Sequence, residues 1–314
     1  MKRPALEDIR TAHERIAPYI HRTPVLTSAA LDEMCGASLF FKCENMQKAG
    51  AFKARGACNA VFSLDEETAS RGVVTHSSGN HAAALSWAAR LRGIPAHIVM
   101  PSNAPAVKRA AVKSYGGIIT LCEPTLAARE STAGAVIAET GAEFIHPYDD
   151  YRIIEAQATA VIELIEEAGD LGVILGPVGG GGLIAGTTLA MHHLDLSTQV
   201  IGCEPANADD AARSLREGRI VPSIDPDTIA DGLRTQLSDR TFDIISDLIS
   251  DIVTVTEEEI IAAMRTVWER MKIIIEPSSA VPVAAALSDR LPIAGKRVGI
   301  ILSGGNVDLG NLPF

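Results

Sequence analysis

The chain has 314 residues, of which 47% are hydrophobic and 21% are charged, and its formal net charge is -11. This balance predicts a globular protein with one large or two moderate domains. The acidic charge disfavours a nucleic-acid partner, because phosphate backbones are bound by clustered cations. The sequence has no signal-like apolar start and no apolar run of bilayer length, and its cysteines are dispersed. We therefore expect a cytoplasmic protein with free thiols and no membrane partner.

The segment KAGAFKARGA, residues 48–57, places Lys53 among alanines, glycines and one phenylalanine. Most lysines are solvated at the surface, and that is one interpretation of Lys53. The neighbouring side chains are too small to shield or solvate an ammonium group. Nearby cations and exclusion of water would lower the pKa of Lys53 and make its free amine available as a nucleophile.

Short apolar segments without polar alternation follow, separated by segments of helix length. Such runs are typical of parallel strands that helices cover on both faces. The predicted strands are GVVTH (72–76), AHIVM (96–100), GIIT (117–120), EFIH (143–146), GVILGPV (172–178), QVIGCEP (199–205), DIVTVT (251–256) and RVGIILSGG (297–305). We predict an α/β fold in which a small domain, 72–149, is inserted into a large domain, 1–71 and 150–314. Thr256 and Glu259 predict a capping box at the start of a later helix.

The segment THSSGNHAAAL, residues 75–85, joins a predicted strand to a predicted helix. The hydroxyls of Ser77 and Ser78, the amide of Asn80 and the free N–H groups of a helix start suit a carboxylate ligand. Ordinary N-capping by serine or asparagine is an alternative that the segment alone does not exclude. His81 on its own is interpreted as a helix histidine with satisfied hydrogen bonds.

The segment GPVGGGGLIAG, residues 176–186, contains four consecutive glycines between a predicted strand and a predicted helix. Glycines allow successive N–H groups to converge, and a helix start adds partial positive charge, so the loop predicts a phosphate site. A tight turn is the structural alternative. The pattern Gly-x-Gly-x-x-Ala from Gly180 to Ala185, with Glu204 after the next strand, also leaves a nicotinamide-dinucleotide site open.

The segment ILSGGNVDLG, residues 301–310, places Ser303 at the carboxyl end of a predicted strand, where ligand sites of open α/β sheets lie. A serine in a Gly-Gly turn is the alternative. Lys53, the glycine loop and Ser303 together form a set that suits pyridoxal phosphate. That cofactor needs a lysine for its aldehyde, a phosphate nest and a partner for its ring nitrogen.

With these motifs assembled, the chain resembles the fold type II pyridoxal-phosphate enzymes, which are tryptophan synthase β-like. Within them it is most similar to the serine racemase and serine/threonine dehydratase group, and especially to 3-hydroxyaspartate dehydratases. The resemblance covers nearly the full length and rests on FFKCENMQKAGAFKARGA, SSGNH, GPVGGGG, EPANADD, ERMKIIIEPSSA and LSGGNVDL.

The resemblance implies a role for each matching residue toward the cofactor. Lys53 would bond covalently to it and exchange protons with the substrate, and Phe52 would pack beside it. Asn80 would hydrogen-bond the phenolate oxygen and Ser303 the ring nitrogen. The phosphate would be held by Gly179, Gly180, Gly181 and Gly182.

The resemblance also implies substrate and cation sites. Ser77, Ser78 and His81 match the loop that receives the substrate carboxylate, and Arg129 matches an arginine that reaches substrate. Ser78 would act as a second acid/base on the opposite face. A divalent cation, Mg²⁺ or Ca²⁺ with Mn²⁺ as an alternative, would be bound by Glu204, the Ala208 carbonyl and Asp210. An acidic helix start is the alternative for that segment.

We predict a dehydratase (ammonia-lyase) that acts on serine, threonine or 3-hydroxyaspartate, with a serine racemase as the near alternative. A nicotinamide oxidoreductase and a non-catalytic cofactor carrier are more distant alternatives. The resemblance implies a homodimer and no regulatory extension. The family's Ala-Gly-Gln-Gly-Thr segment is replaced here by EAQAT, residues 155–159, which adds the carboxylate of Glu155.

Overall fold

A computed structural model describes residues 2–314 and contains two β-sheets. The larger sheet has the strand order β1-β2-β10-β7-β8-β9 and is parallel except for the pairing of β1 with β2. Its strands are β1 (Val25–Leu26), β2 (Ser38–Cys43), β7 (Val173–Pro177), β8 (Gln199–Pro205), β9 (Asp251–Val255) and β10 (Arg297–Leu302).

The smaller sheet has the order β5-β4-β3-β6 and is parallel throughout. Its strands are β3 (Val73–His76), β4 (Ala96–Pro101), β5 (Ile118–Cys122) and β6 (Glu143–Phe144). All eight strands predicted from apolar runs are present. The short β1 and the full strand β2 were not predicted.

Helices connect and cover the strands of both sheets. They are α1 (Leu6–Ile16), α2 (Ala29–Cys35), α3 (Lys53–Phe62), α4 (Glu66–Ser70), α5 (Asn80–Arg92), α6 (Ala106–Ser114), α7 (Leu126–Thr140), α8 (Tyr151–Ala168), α9 (Gly182–His193), α10 (Asp210–Glu217), α11 (Asp239–Leu248), α12 (Glu257–Met271) and α13 (Pro277–Leu287). The predicted capping box starts α12, since Glu259 N donates to Thr256 Oγ1 and Glu259 Oε2 accepts from Thr256 N.

The core of the larger sheet lies on both of its faces. Alternate side chains of β7 point to opposite sides, so that Leu175 belongs to the cluster with α12 and α13 whereas Ile174 belongs to the cluster with α8 and α9. Burial on both faces explains why these strands read as continuous apolar runs. The predicted α/β fold with helix-covered parallel sheets is confirmed. Within residues 2–314, none of the helices combines the length and apolarity of a membrane span.

The smaller sheet lies entirely within residues 73–144, and the strands of the larger sheet lie on both sides of that range in sequence. The exact division into domains, 72–149 against 1–71 and 150–314, stays a prediction.

Candidate active site

Lys53 is the first residue of α3 and is half-buried. The Nζ atom donates to the Pro147 carbonyl at 2.8 Å and lies 5.0 Å from the centre of the Phe52 ring. Burial lowers the pKa of Lys53 to about 8. A lysine with this pKa has a substantial neutral fraction near neutral pH, as a nucleophile or base requires.

A backbone hydrogen bond connects the residue that follows β10 to the residue that precedes α3. Phe52 N donates to the Ser303 carbonyl at 2.9 Å. The buried Ser303 hydroxyl lies 3.1 Å from the Ser279 hydroxyl, which also accepts from Gly304 N at 2.7 Å. The strand end thus fixes both the helix that carries Lys53 and the hydroxyl predicted to face a ring nitrogen.

The four glycines lie between β7 and α9, and their neighbours leave no room for larger residues. Gly181 has φ +86°, which favours glycine. A Cβ at Gly180 would collide with the Tyr148 ring, and one at Gly179 would lie 3.0 Å from the Gly232 carbonyl. Because the loop leads into the positive end of a buried helix, it has the geometry of an anion cradle.

The serine-rich loop follows β3, and α5 begins at Asn80. Gly79 N donates to Ser77 Oγ at 3.4 Å. The Asn80 amide donates to both Glu276 carboxylate oxygens, at 2.8 and 3.1 Å, and its Oδ1 accepts from Asn306 Nδ2 at 3.0 Å. Burial raises the pKa of Glu276 to about 7, while the Asn80 bond acts in the opposite direction.

His81 lies in the first turn of α5 and is buried. Its Nε2 is 3.4 Å from the Ile145 carbonyl, and its Nδ1 has no hydrogen-bond partner among the residues that the structure describes. Burial lowers the pKa of His81 far below its ordinary value, and the charge of Lys53 lowers it further. The ring is therefore neutral. The prediction of a helix histidine with satisfied hydrogen bonds holds for Nε2 but not for Nδ1.

Arg129 is half-buried on α7. Burial lowers the pKa of His76, and the positive charge of Arg129 lowers it further. Burial also raises the pKa of Tyr148 to about 12, against an opposing effect of Arg129. The guanidinium is thus close enough to act electrostatically on both the end of β3 and the residue beside the glycine loop.

The residues predicted to bind a cation lie at the end of β8 and the start of α10. The Glu204 carboxylate accepts from Ala211 N at 3.1 Å and from Ala212 N at 2.8 Å. Both Asp210 carboxylate oxygens are buried and, within the described chain, have no hydrogen-bond partner. Burial raises the pKa of Glu204 well above its ordinary value and that of Asp210 to about 6. No cluster of three or more His, Cys, Asp or Glu side chains suited to a metal occurs in residues 2–314.

Comparison with known proteins decides the class of this site. The family described as "Pyridoxal-phosphate dependent enzyme" matches residues 16–304. The chain belongs to the pyridoxal-phosphate dependent enzyme family. The predicted family is therefore confirmed, and so is the prediction of an enzyme.

Several members of the pyridoxal-phosphate dependent enzyme family are similar to the chain along its whole length. A β-hydroxyaspartate dehydratase of Paracoccus denitrificans (strain Pd 1222) is 52% identical over 311 residues, 99% of each chain. A serine racemase of Arabidopsis thaliana is 53% identical over 97% of this chain and 93% of that protein. The solved structure of maize serine racemase matches with a TM-score of 0.96 and 48% identity, over 98% of this chain and 95% of that one.

The residues present fit the family's cofactor. Lys53 supplies an amine of lowered pKa, the glycine loop supplies backbone N–H groups at the start of a buried helix, and Ser303 supplies a buried hydroxyl. They also fit a cation, because the partnerless Asp210 carboxylate is an oxygen donor whose burial is unfavourable unless a positive charge compensates it.

Five residues of this region were not predicted from the sequence: His146, Pro147, Tyr148, Glu276 and Ser279. Pro147 contacts the Lys53 amine although 94 positions separate them, and Glu276 contacts Asn80 across 196 positions. The available signals were the polar cluster after β6, HPYDD, and the Glu-Pro pair that precedes α13.

Proposed function

We propose that the chain is a pyridoxal-phosphate-dependent dehydratase that converts a 3-hydroxy amino acid, namely serine, threonine or 3-hydroxyaspartate, into an oxo acid and ammonia. The observation that carries the proposal is the Lys53 amine, whose pKa burial lowers to about 8 and which donates to the Pro147 carbonyl at 2.8 Å. The 52% identity to a β-hydroxyaspartate dehydratase supports the substrate class.

Each role in the reaction follows from a residue of the chain. When bound, pyridoxal phosphate withdraws electrons from the α-carbon of the amino acid. Lys53 Nζ then removes the α-proton, while Ser77, Ser78 and the start of α5 bind the carboxylate. The β-hydroxyl leaves as water, and one water is added when the nitrogen is released. The net products are therefore one oxo acid and one ammonia.

Within this reaction, Arg129 is assigned to a second substrate carboxylate. Its half-buried position and its electrostatic effect on His76 and Tyr148 support a place beside the serine loop. A guanidinium binds a carboxylate through two parallel hydrogen bonds, which neither serine nor threonine could use through its side chain. The proposal therefore favours 3-hydroxyaspartate among the three substrates.

A serine racemase is the second candidate, because serine racemases are 44–53% identical to the chain. Racemisation needs an acid/base on each face of the α-carbon, and Ser78 is assigned to the face opposite Lys53. The substitution Ser78→Ala is expected to abolish racemisation and to retain part of the elimination. Racemisation that persists in this variant would show that Ser78 is not the second base.

The proposed enzyme also has a structural cation and a partner subunit. Glu204, the Ala208 carbonyl and Asp210 are assigned to Mg²⁺, Ca²⁺ or Mn²⁺, on the strength of their oxygen donors and of the partnerless Asp210 carboxylate. The proposed assembly is a cytoplasmic homodimer, as the family resemblance implies, and sedimentation of the purified protein tests it.

The experiment that tests the function combines spectroscopy with product analysis. Purified protein is expected to show the absorbance of a lysine-bound cofactor and to release ammonia from hydroxy amino acids. Lys53→Ala is expected to lose both, whereas Lys48→Ala, in the same segment, keeps both. An unchanged Lys53→Ala spectrum would exclude the assignment. Colour with neither ammonia release nor racemisation of any stereoisomer of the three substrates would indicate a cofactor carrier, and dependence on NAD(H) an oxidoreductase.

A further inference from the structure

His146 follows β6, and its ring folds back over the next residues of the chain. The Nδ1 atom accepts hydrogen bonds from Asp149 N at 2.8 Å and from Tyr148 N at 3.3 Å. Asparagine and aspartate side chains make the same contacts, to the second and third following N–H groups, in Asx turns. Nδ1 accepts only when it carries no proton, so the ring proton lies on Nε2. Burial lowers the pKa of His146 to about 4, which keeps the ring neutral at ordinary pH.

The turn that His146 closes contains the carbonyl that contacts Lys53. Pro147 has a fixed φ and no N–H group, so its carbonyl direction depends on the residues that follow it. That carbonyl accepts from Lys53 Nζ at 2.8 Å. Beyond it, the Tyr148 ring packs on Gly180, and Asp149 pairs with Arg240 at 3.0 Å. Contacts of the Tyr148 and Asp149 side chains thus anchor the end of the turn. The hydrogen bonds accepted by His146 determine how Pro147, at its start, is oriented.

We propose that His146 is a positioning residue: by accepting the N–H groups of Tyr148 and Asp149, it holds the Pro147 carbonyl against the Lys53 amine and so fixes where that amine meets the cofactor aldehyde. The inference rests on the proposed role of Lys53. No substrate or cofactor contact of His146 itself is required.

The arrangement suits the bond that Lys53 has to form. A neutral amine has two N–H donors and one lone pair, so a bond to Pro147 uses a donor and leaves the lone pair free. The nitrogen bonds to the aldehyde carbon, and the aldehyde oxygen leaves as water with both amine protons. Because a lysine side chain loses much rotamer freedom when it is ordered, a carbonyl that already holds the amine speeds this capture.

The test compares cofactor-free forms of the wild type, His146→Asn, His146→Leu and His146→Gln. Asparagine can accept the same two N–H groups, leucine cannot, and glutamine is polar but too long for the turn. His97→Leu, a half-buried histidine of β4, is the control. After mixing with pyridoxal phosphate, capture is followed by absorbance. We expect the leucine and glutamine variants to be slowed about tenfold, the effect of losing roughly 1.4 kcal/mol of hydrogen bonding, and the asparagine and control variants to match the wild type.

A crystal structure of each cofactor-free variant supplies the second measurement, which does not depend on catalysis. The Lys53–Pro147 hydrogen bond should persist within about 3.2 Å in His146→Asn and be absent in His146→Gln and His146→Leu. Capture by His146→Leu at the wild-type rate, or an asparagine variant as slow as leucine, would overturn the inference. If the leucine variant does not fold, the capture rate and crystal structure of the glutamine variant test the inference in its place. A wild type that never captures the cofactor would refute the proposed function, while the crystallographic comparison would still decide the role of His146.

Discussion

Burial controls the protonation of the basic side chains around Lys53. It lowers the pKa of Lys53 to about 8 and that of His146 to about 4, and it lowers the pKa of His81 well below its ordinary value. If they were exposed to water, each of these groups would stay protonated up to a higher pH. The two histidine rings are therefore neutral at ordinary pH, and the neutral form of Lys53 is reached at a lower pH than in a solvent-exposed lysine.

The pH dependence of cofactor capture follows from the lowered pKa of Lys53. Only the neutral amine attacks an aldehyde, so the capture rate of cofactor-free protein should rise with pH and level off above about 8. A free lysine derivative, with a side-chain pKa of about 10.4, serves as the comparison and should level off near that pH. The measurement is the initial rate of absorbance change between mildly acidic and strongly basic pH. A protein midpoint equal to that of the free amine would contradict the burial of Lys53.

At the scale of elements, a buried ionic network ties α3 to β2 and α8. The Arg55 guanidinium donates to Glu44 at 2.7 and 2.8 Å and to Glu163 at 2.7 and 2.8 Å. Lys42 Nζ donates to Glu163 at 2.6 Å. The four side chains have no appreciable solvent exposure and carry two charges of each sign. Burial raises the pKa of Glu163, but hydrogen bonds with His13 and Arg55 and the charges of Arg55 and Lys42 hold it below its ordinary range.

Removal of Arg55 should therefore destabilise the fold strongly. Arg55→Met leaves two buried carboxylates without their shared partner, and we expect the free energy of unfolding to fall by about 3–5 kcal/mol. Arg290→Met, which breaks the partly exposed pair with Glu259, should change it by less than about 1 kcal/mol. Urea unfolding of both variants gives the two values. Equal losses would mean that the buried network contributes no more than a surface pair.

The junction of β8 and α10 gives a second prediction at this scale. If Asp210 binds the proposed cation, chelation should lower the melting temperature and excess Mg²⁺ should restore it. When the free Mg²⁺ concentration is a hundred times its Kd, the free energy of unfolding should rise by about 2.7 kcal/mol. Asp210→Asn should lose the response, whereas Asp209→Asn, whose side chain pairs with Arg213 at 2.7 Å, should keep it. A melting temperature of the wild type that is indifferent to both chelator and Mg²⁺ would argue against a structural cation.

The same elements show why part of the molecule was predictable from sequence. Strands buried on both faces read as apolar runs, and a glycine loop before a helix reads as an anion site, because local sequence alone determines both. The strand β2 was missed because Lys42 interrupts its apolar pattern, and only tertiary pairing with Glu163 makes that lysine compatible with burial. Glu276 was missed for the same reason, because its partner Asn80 lies 196 positions away. His146 has local partners, but the turn that it closes gains its importance from the contact of Pro147 with Lys53, 94 positions away.

At the scale of the whole molecule, polar contacts cross between the proposed small domain, 72–149, and the rest of the chain. Lys53 donates to the Pro147 carbonyl, Asn80 donates to Glu276, and Lys108 pairs with Asp231. The first two lie at residues assigned to the site. The third joins the exposed side of α6 to the turn that contains Gly232, whose carbonyl borders the glycine cradle.

From this position we expect the Lys108–Asp231 pair to contribute more to cofactor binding than to stability. Its side chains are 26% and 42% exposed, so the pair should add at most about 1 kcal/mol to folding. Lys108→Ala should leave the melting temperature nearly unchanged but free the turn beside Gly179, and the Kd for pyridoxal phosphate should rise up to about fivefold. Titration of the cofactor-free protein with pyridoxal phosphate measures this Kd. The charge-swapped double variant, Lys108→Asp with Asp231→Lys, should recover most of the affinity, because it restores an ion pair across the same junction. If the double variant binds as weakly as the single one, the turn is held by other contacts and the pair has no role in shaping the cradle.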